Sequence, residues 1–390
     1  MPQNRPSDWL ILTGLALGMC VTNGFARFAY GLILPAMRSE LGWTYAQAGW
    51  LNTANAMGYI AGAVGTMILI RRIAPTTLFS FGFVTTAVCL LATGLYEPMW
   101  WQSLWRFLTG LCGALSFASA GALTSQLFKG DPRRNALAIA ILFGSGGGLG
   151  IVLSGAGIPP LLDRFGPGAW PWAWIAIGTF SLASIPLALW STRHLRADRQ
   201  SLENTRLPIR RMLPELVGYG CFGAGYIVYL TFLSAWMTAQ LAATWLISLV
   251  WVLLGLCMAL SPFLWRGLFA RFASGLPLAL ILLGIATGSA LPVFLPSTPG
   301  MILSALVFGL CVFMAPGAIT NFSRQNLPPD SWGAAISLFT VIFAVSQTLG
   351  PVGAGALGDM AGSIGAGLLA ASGILLVGAA AAILQRPLSQ

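Results

Sequence analysis

The stretch Gly14-Leu15-Ala16-Leu17-Gly18-Met19-Cys20-Val21-Thr22-Asn23-Gly24-Phe25-Ala26-Arg27-Phe28-Ala29-Tyr30-Gly31-Leu32-Ile33-Leu34-Pro35 decides the fold. A helix needs about 20 predominantly apolar residues to cross a bilayer, and this run supplies them. Arg27 lies well inside it. A guanidinium in hydrocarbon costs on the order of 3 kcal/mol, so such a residue faces a watery cavity or a buried partner. At helical spacing Asn23, Arg27 and Tyr30 share one face, which predicts a polar stripe on a spanning helix.

Working outward, the whole chain has the same character. Of its 390 residues 57% are hydrophobic and only 8% charged, where a soluble domain carries roughly 25% charged residues. Twelve apolar segments of spanning length follow one another: 9–37, 46–70, 76–96, 99–128, 136–160, 171–191, 212–236, 244–265, 275–296, 300–323, 332–358 and 363–384. No ten-residue alternation of the kind that builds a membrane barrel is present. The expected fold is therefore all-α and integral to a membrane, with twelve transmembrane helices. The leader Met1–Asp8 is short and the apolar run after it exceeds a signal-peptide h-region, so the first helix is expected to be retained. All six cysteines fall inside apolar segments without metal-ligand spacing and read as small packing residues.

The net charge of +10 is a matter of topology, not of nucleic-acid binding. With a cytoplasmic N-terminus, sixteen of the 20 Lys and Arg residues fall in inside loops. Only Arg38 and Arg164 fall outside, and Arg27 and Arg106 within the membrane. The positive-inside rule then places both termini in the cytoplasm and calls for an even number of crossings. Basic loops also suit anionic head groups.

The longest cytoplasmic connection, 191–211, carries six arginines and divides the chain into 1–190 and 212–390, each expected to form a six-helix bundle. The halves repeat. A shift of 199 sets Gly24 on Gly223, Arg27 on Tyr226, Tyr30 on Tyr229, and Gly110-Leu111-Cys112 on Gly309-Leu310-Cys311. A shift of 200 sets Phe143 on Phe343, Leu149-Gly150 on Leu349-Gly350, and Gly155 on Gly355. Parallel halves are a known transporter plan, with the site at their interface near the midplane.

Twelve helices in two sixes, with a basic central loop, resemble the major facilitator superfamily across the whole chain. Arg106-Phe107-Leu108-Thr109-Gly110-Leu111-Cys112-Gly113-Ala114 is similar to that superfamily's arginine-then-glycine motif on its fourth helix. The resemblance implies a cavity role for Arg106 in substrate binding or proton coupling. Gly62-Ala63-Val64-Gly65 through Arg71 and Arg72 stands where the superfamily has its gating loop between helices 2 and 3, without the usual aspartate. Ala26-Arg27-Phe28-Ala29-Tyr30-Gly31 and Gly49-Trp50-Leu51-Asn52-Thr53-Ala54-Asn55 further resemble the YbfB/YjiJ-type branch.

The candidate substrate-binding residues are Arg27, Arg106, Asn23, Tyr30, Asn52, Asn55, Tyr59, Tyr226 and Gln347. Asn52, Asn55 and Tyr59 lie at i, i+3 and i+7 on one helix face. Tyr226 is chosen over Tyr229 because its repeat partner is Arg27. Gln347 is the most central polar residue of the second half. The asparagines and Gln347 equally suit hydrogen bonding between helices. Gly144, Gly146, Gly148 and Gly150, and Gly350, Pro351 and Gly355, are expected to be smooth contacts on which the halves move. The Gly144–Gly150 run is no phosphate loop, since no Gly-Lys-Ser/Thr follows it.

The acidic residues are Asp8, Glu40, Glu97, Asp131, Asp163, Asp198, Glu203, Glu215, Asp330 and Asp359, none expected at the midplane. The single histidine, His194, lies in the central loop. Buried cations without acidic partners favour an anion. The expected function is a secondary transporter working by alternating access on a small organic anion or carboxylate-bearing solute, without cofactor, metal or catalytic residues. The alternatives are an exporter of neutral or cationic amphiphiles, suggested by Trp50, Trp105, Phe107, Phe117 and Trp251, and a non-transporting receptor. The expected partners are a small solute, the lipid bilayer and protons as a candidate coupling ion. Nothing calls for nucleic acid or for more than a monomer. The expected location is the cytoplasmic (inner) membrane.

Overall fold

The computed structural model describes residues 7–70, 72–128, 130–195 and 207–388, which are helical without a strand among them. Arg71 and residues 196–206 of the central connection lie outside the described residues. The spanning elements are α1 (Asp8–Leu41), α2 (Tyr45–Leu69), α3 (Pro75–Thr93), α4 (Met99–Thr124), α5 (Arg133–Phe165) and α6 (Pro167–Arg193). The second set is α7 (Ile209–Ala239), α8 (Thr244–Arg271), α9 (Leu276–Phe294), α10 (Thr298–Asn326), α11 (Trp332–Ala361) and α12 (Ile364–Ile383).

Eleven of these are long and apolar enough to cross a membrane on their own. The exception is α2, with 25 residues ample in length but carrying buried Asn52, Thr53 and Asn55. Its polar face packs on other helices and never meets lipid, so the fold holds a span that hydropathy alone undervalues. Local signals set the ends. Thr44 and Gln47 form a reciprocal capping box at the start of α2. Left-handed Gly42 and Gly362 stop α1 and α11.

The two sets of six pack alike. In the first, α1 touches α5 and α6, α2 touches α4, and α3 touches α4 and α6. In the second, α7 touches α11 and α12, α8 touches α10, and α9 touches α10 and α12. The sets meet through α1 with α7, α2 with α11, and α5 with α8, a pattern that maps onto itself when the sets are exchanged. The repeat in sequence is thus a pseudo-twofold in space.

Both α1 and α5 change winding midway. Cys20–Phe28 of α1 and Ile141–Gly146 of α5 are π-helical between α-helical arms. Such widened turns cluster at functional sites because they re-aim side chains. The two helices come together beside these segments, where Gly24 and Gly150 allow backbone-to-backbone approach.

Candidate functional site

A cavity of about 620 Å³ lies between the two sets of helices. Its wide end reaches the exposed Arg266 of α8 and Arg324 of α10. Its far end is formed by Asn23, Arg27, Tyr59 and Tyr226. Beyond Arg27 the sets are in direct contact. Gly31 of α1 lies against the Leu230 carbonyl of α7, so close that a Cβ would collide with it. Asn52 donates to Thr231, and the Thr53 hydroxyl donates to the Thr348 carbonyl at 2.8 Å. At the very end the Asp359 carboxylate of α11 accepts from the backbone N–H groups of Tyr45 and Ala46, both at 2.8 Å, capping the N-terminus of α2. Asp163 of α5 accepts from the hydroxyl of Thr244, the first residue of α8, at 2.8 Å. The two latches sit on the two symmetry-related contacts. The cavity is thus open at one end and sealed at the other.

Arg27 is the centre of the site. It is only 6% exposed. Its Nη2 donates to the Tyr226 hydroxyl at 2.9 Å and to Gln347 Oε1, both on the second set of helices. Its Cζ lies 4.5 Å from the centroid of the Tyr59 ring, a cation–π contact from the first set. Tyr226 also donates to Gln347 Oε1 at 3.3 Å. Arg27 and Tyr226 are 199 positions apart, the offset of the repeat, so the pseudo-twofold axis passes between them. Gln347 Nε2 is buried with no partner among the described residues, although it is a donor beside the guanidinium.

Arg106 is placed differently from the sequence expectation. It is fully buried and is not among the residues that line the cavity. Nη1 donates to the Ala26 carbonyl at 2.7 Å, and Nη2 lies 3.4 Å from Asn52 Oδ1. The Tyr30 and Trp174 rings lie 5.0 and 5.5 Å from its Cζ. Ala26 is inside the π-helical segment, and its carbonyl also receives Asn55 Nδ2 at 3.4 Å. Arg106 therefore braces the irregular backbone that aims Arg27. Neither guanidinium has a carboxylate within ion-pairing distance among the described residues.

The other expected residues divide in the same way. Asn23 and Tyr59 join Arg27 and Tyr226 on the cavity. Tyr30 does not, because the widened turns of Cys20–Phe28 rotate it off that face; its hydroxyl donates to the Ala48 carbonyl at 2.7 Å. Asn52 and Asn55 bind neighbouring helices, Asn55 Nδ2 reaching the Arg106 carbonyl at 3.0 Å. Gly144 lines the cavity, while Gly148 faces Gly255 of α8 across the interface. Gly355 and the Pro351 carbonyl meet Tyr45 and Gly49 of α2. Gly146 and Gly150 face α1, and Gly350 faces α7, so these three pack within one set and not between sets. Arg72 is exposed beyond the end of α2.

Sequence reasoning missed three features. The cavity walls are aromatic, with Phe222, Tyr219 and Phe343 on one side and Phe117 and Phe143 on the other. Their spacing of three or four residues along α7 (Tyr219, Phe222, Tyr226) was the available signal. Glu215 of α7, expected only to lie away from the midplane, is 1% exposed; its N–H donates to Gln385 Oε1 at 3.3 Å. Asp359 caps α2 from the other set, and Asp163 accepts from the Thr244 hydroxyl across the sets, which no local pattern announces.

Residues 19–383 match the family model described as "Uncharacterised MFS-type transporter YbfB". The chain belongs to this family of major facilitator transporters. Its members are carriers, not enzymes, and the chain is a multi-pass membrane protein of that type. A curated relative, "Probable anion transporter 4, chloroplastic" of Oryza sativa subsp. japonica, is 24% identical over 213 residues. That match covers 54% of this chain and 34% of the relative, so it spans about a third of that protein. Among solved structures, a bacterial homologue of the human lysosomal transporter Spinster in its inward-facing, occupied form superposes with a TM-score of 0.76 at 16% identity, over 98% of this chain and 97% of that one. The nucleoside transporter NupG superposes with a TM-score of 0.70 at 13% identity, over 97% and 98%. At these identities the likeness is one of fold.

Proposed function

We propose that this chain carries a small organic anion across the cytoplasmic membrane by alternating access, with its anionic group held on Arg27. The observation that carries the reading is the position of Arg27 at the closed end of the cavity. A cation there is worth its desolvation, on the order of 3 kcal/mol, if an anion arrives to meet it. No acidic residue lines the cavity among the described residues, and Arg266 and Arg324 make its mouth cationic. Such a field concentrates anions and repels cations. The relative whose name includes anion transport supports the same class.

The geometry couples binding to movement. A carboxylate held by two parallel N–H groups of a guanidinium must use a proton of Nη2, whichever face it approaches. Both protons of Nη2 are already given to Tyr226 and Gln347. Bidentate capture therefore displaces a partner on the other bundle, and the unpaired Nε2 of Gln347 can turn to the incoming oxygen. Bundles 1–190 and 212–390, joined by 191–211, are the moving bodies. With both termini cytoplasmic by the distribution of basic residues, the cavity faces inward and the Asp359 and Asp163 latches lie outside. Protons, if coupled, travel with the cargo acid or through Glu97 or Asp359.

The aromatic walls would also admit a neutral amphiphile. Uptake of a radiolabelled carboxylate and of its uncharged amide into proteoliposomes separates the two. The carboxylate is expected to accumulate and the amide not. Equal uptake of both would assign a neutral cargo, and saturable binding without uptake would assign a receptor.

A further inference from the structure

Four rings of the second bundle share nearly one orientation at the cavity wall. Phe222 stacks on Tyr226 with centroids 4.6 Å apart and planes 19° apart. Tyr219 stacks on Phe222 at 5.5 Å and 24°, and Phe343 lies 5.5 Å from Phe222 at 22°. Phe343 also lies 5.6 Å from Tyr226 at 26°. Across the cavity, Tyr59, Phe117 and Phe143 form a second chain of rings, with spacings of 6.1 and 5.1 Å. The two walls converge on Arg27, which touches the Tyr59 ring from one side and the Tyr226 hydroxyl from the other.

Ordinary apolar lining, of leucine and isoleucine, would suffice for an aliphatic solute. Rings that share one orientation do more, because a flat π-system can join the stack while a puckered ring cannot. Among the described residues that line the cavity, Arg27 is the only cation at the closed end, with Arg266 and Arg324 at the mouth. The apex thus takes one negative group, and the walls behind it take a flat apolar body. A volume of about 620 Å³ holds a molecule of one or two rings with space left for water.

We propose that the cargo is a planar aromatic monocarboxylate, its ring against the Tyr219–Phe222–Tyr226–Phe343 stack and its carboxylate on Arg27. This rests on the organic-anion reading above and narrows it. Phe222, the ring with most stacked neighbours, holds the others in their shared orientation, and so the preference for planarity, without touching the charge.

The test uses the full chain in detergent, with tryptophan fluorescence or calorimetric titration of benzoate, 2-naphthoate, cyclohexanecarboxylate and octanoate. The expected order is 2-naphthoate and benzoate at least tenfold tighter than cyclohexanecarboxylate, which has the same charge and nearly the same size. Phe222→Leu is expected to bring that ratio close to one, and Phe343→Leu is the second variant should the first not fold. Equal affinities for benzoate and cyclohexanecarboxylate in the unaltered chain overturn the proposal, as does a ratio unchanged in both variants. Binding of octanoate alone, abolished by Arg27→Gln, overturns the aromatic assignment but leaves the anion reading standing. No Arg27-dependent binding of any of the four overturns both.

Discussion

Two buried arginines of the same helical bundle divide the work. Arg27 ends in a cavity and touches both bundles, while Arg106 ends on the carbonyl of Ala26 and touches one. Opposite outcomes follow for their substitution. Arg106→Gln removes a charged hydrogen bond to a buried carbonyl, a loss of about 2 kcal/mol of stability. A thermal-denaturation series should show a lowered midpoint, with affinity in the folded fraction close to that of the unaltered chain. A large loss of affinity at unchanged stability would instead put Arg106 on the substrate. Arg27→Lys keeps the charge but not the fork, so weaker binding with surviving transport is expected from uptake kinetics.

The spanning helices owe their functional geometry to places where regular winding fails. The π-helical turns of α1 explain why Asn23 and Arg27 reach the cavity and Tyr30, on the same face by α-helical count, does not. That distinction was invisible in the sequence, because apolar periodicity carries no mark of a five-residue backbone hydrogen bond. By contrast the pairing of Arg27 with Tyr226 was legible, since a pseudo-twofold axis brings a residue and its repeat partner together only where the two helices cross. The asparagines of α2 were correctly found as polar positions in a membrane helix, but their partners, Thr231 and two backbone carbonyls, depend on packing that no single-helix pattern encodes. The seal beyond Arg27 can be tested through its parts. Asp359→Ala removes a cap from α2, worth about 1 kcal/mol, and should shift the balance of outward-open to outward-closed protein about fivefold. Gly31→Leu, with no room against the Leu230 carbonyl, should hold the outer end open more completely. Labelling of a cysteine introduced at position 53 by a membrane-impermeant reagent from outside should increase in both; unchanged labelling would contradict the assignment of this end as the gate.

Seen entire, the described residues form two sets of six helices that repeat each other's contacts, with a cavity between them and Arg27 where their axis passes. The architecture was readable from segment count, basic loops and the 199-residue offset, because each is a property of a membrane chain before it folds. The aromatic lining was marked only by the spacing of Tyr219, Phe222 and Tyr226 along α7, since a phenylalanine facing lipid and one facing a cavity otherwise look alike in a sequence. The proposed orientation, with the cavity open to the cytoplasm, predicts that a cysteine at Thr320 reacts from the cytoplasmic side in the absence of solute, and that a transported anion lowers its reactivity as the bundles move. The most direct measurement of the central claim is counterflow of a bound organic carboxylate in proteoliposomes carrying either the unaltered chain or Arg27→Gln. Loss of exchange and of binding by about a hundredfold, with the variant's melting temperature retained to within a few degrees, is the predicted result. Exchange at the unaltered rate in the folded Arg27→Gln chain would contradict it.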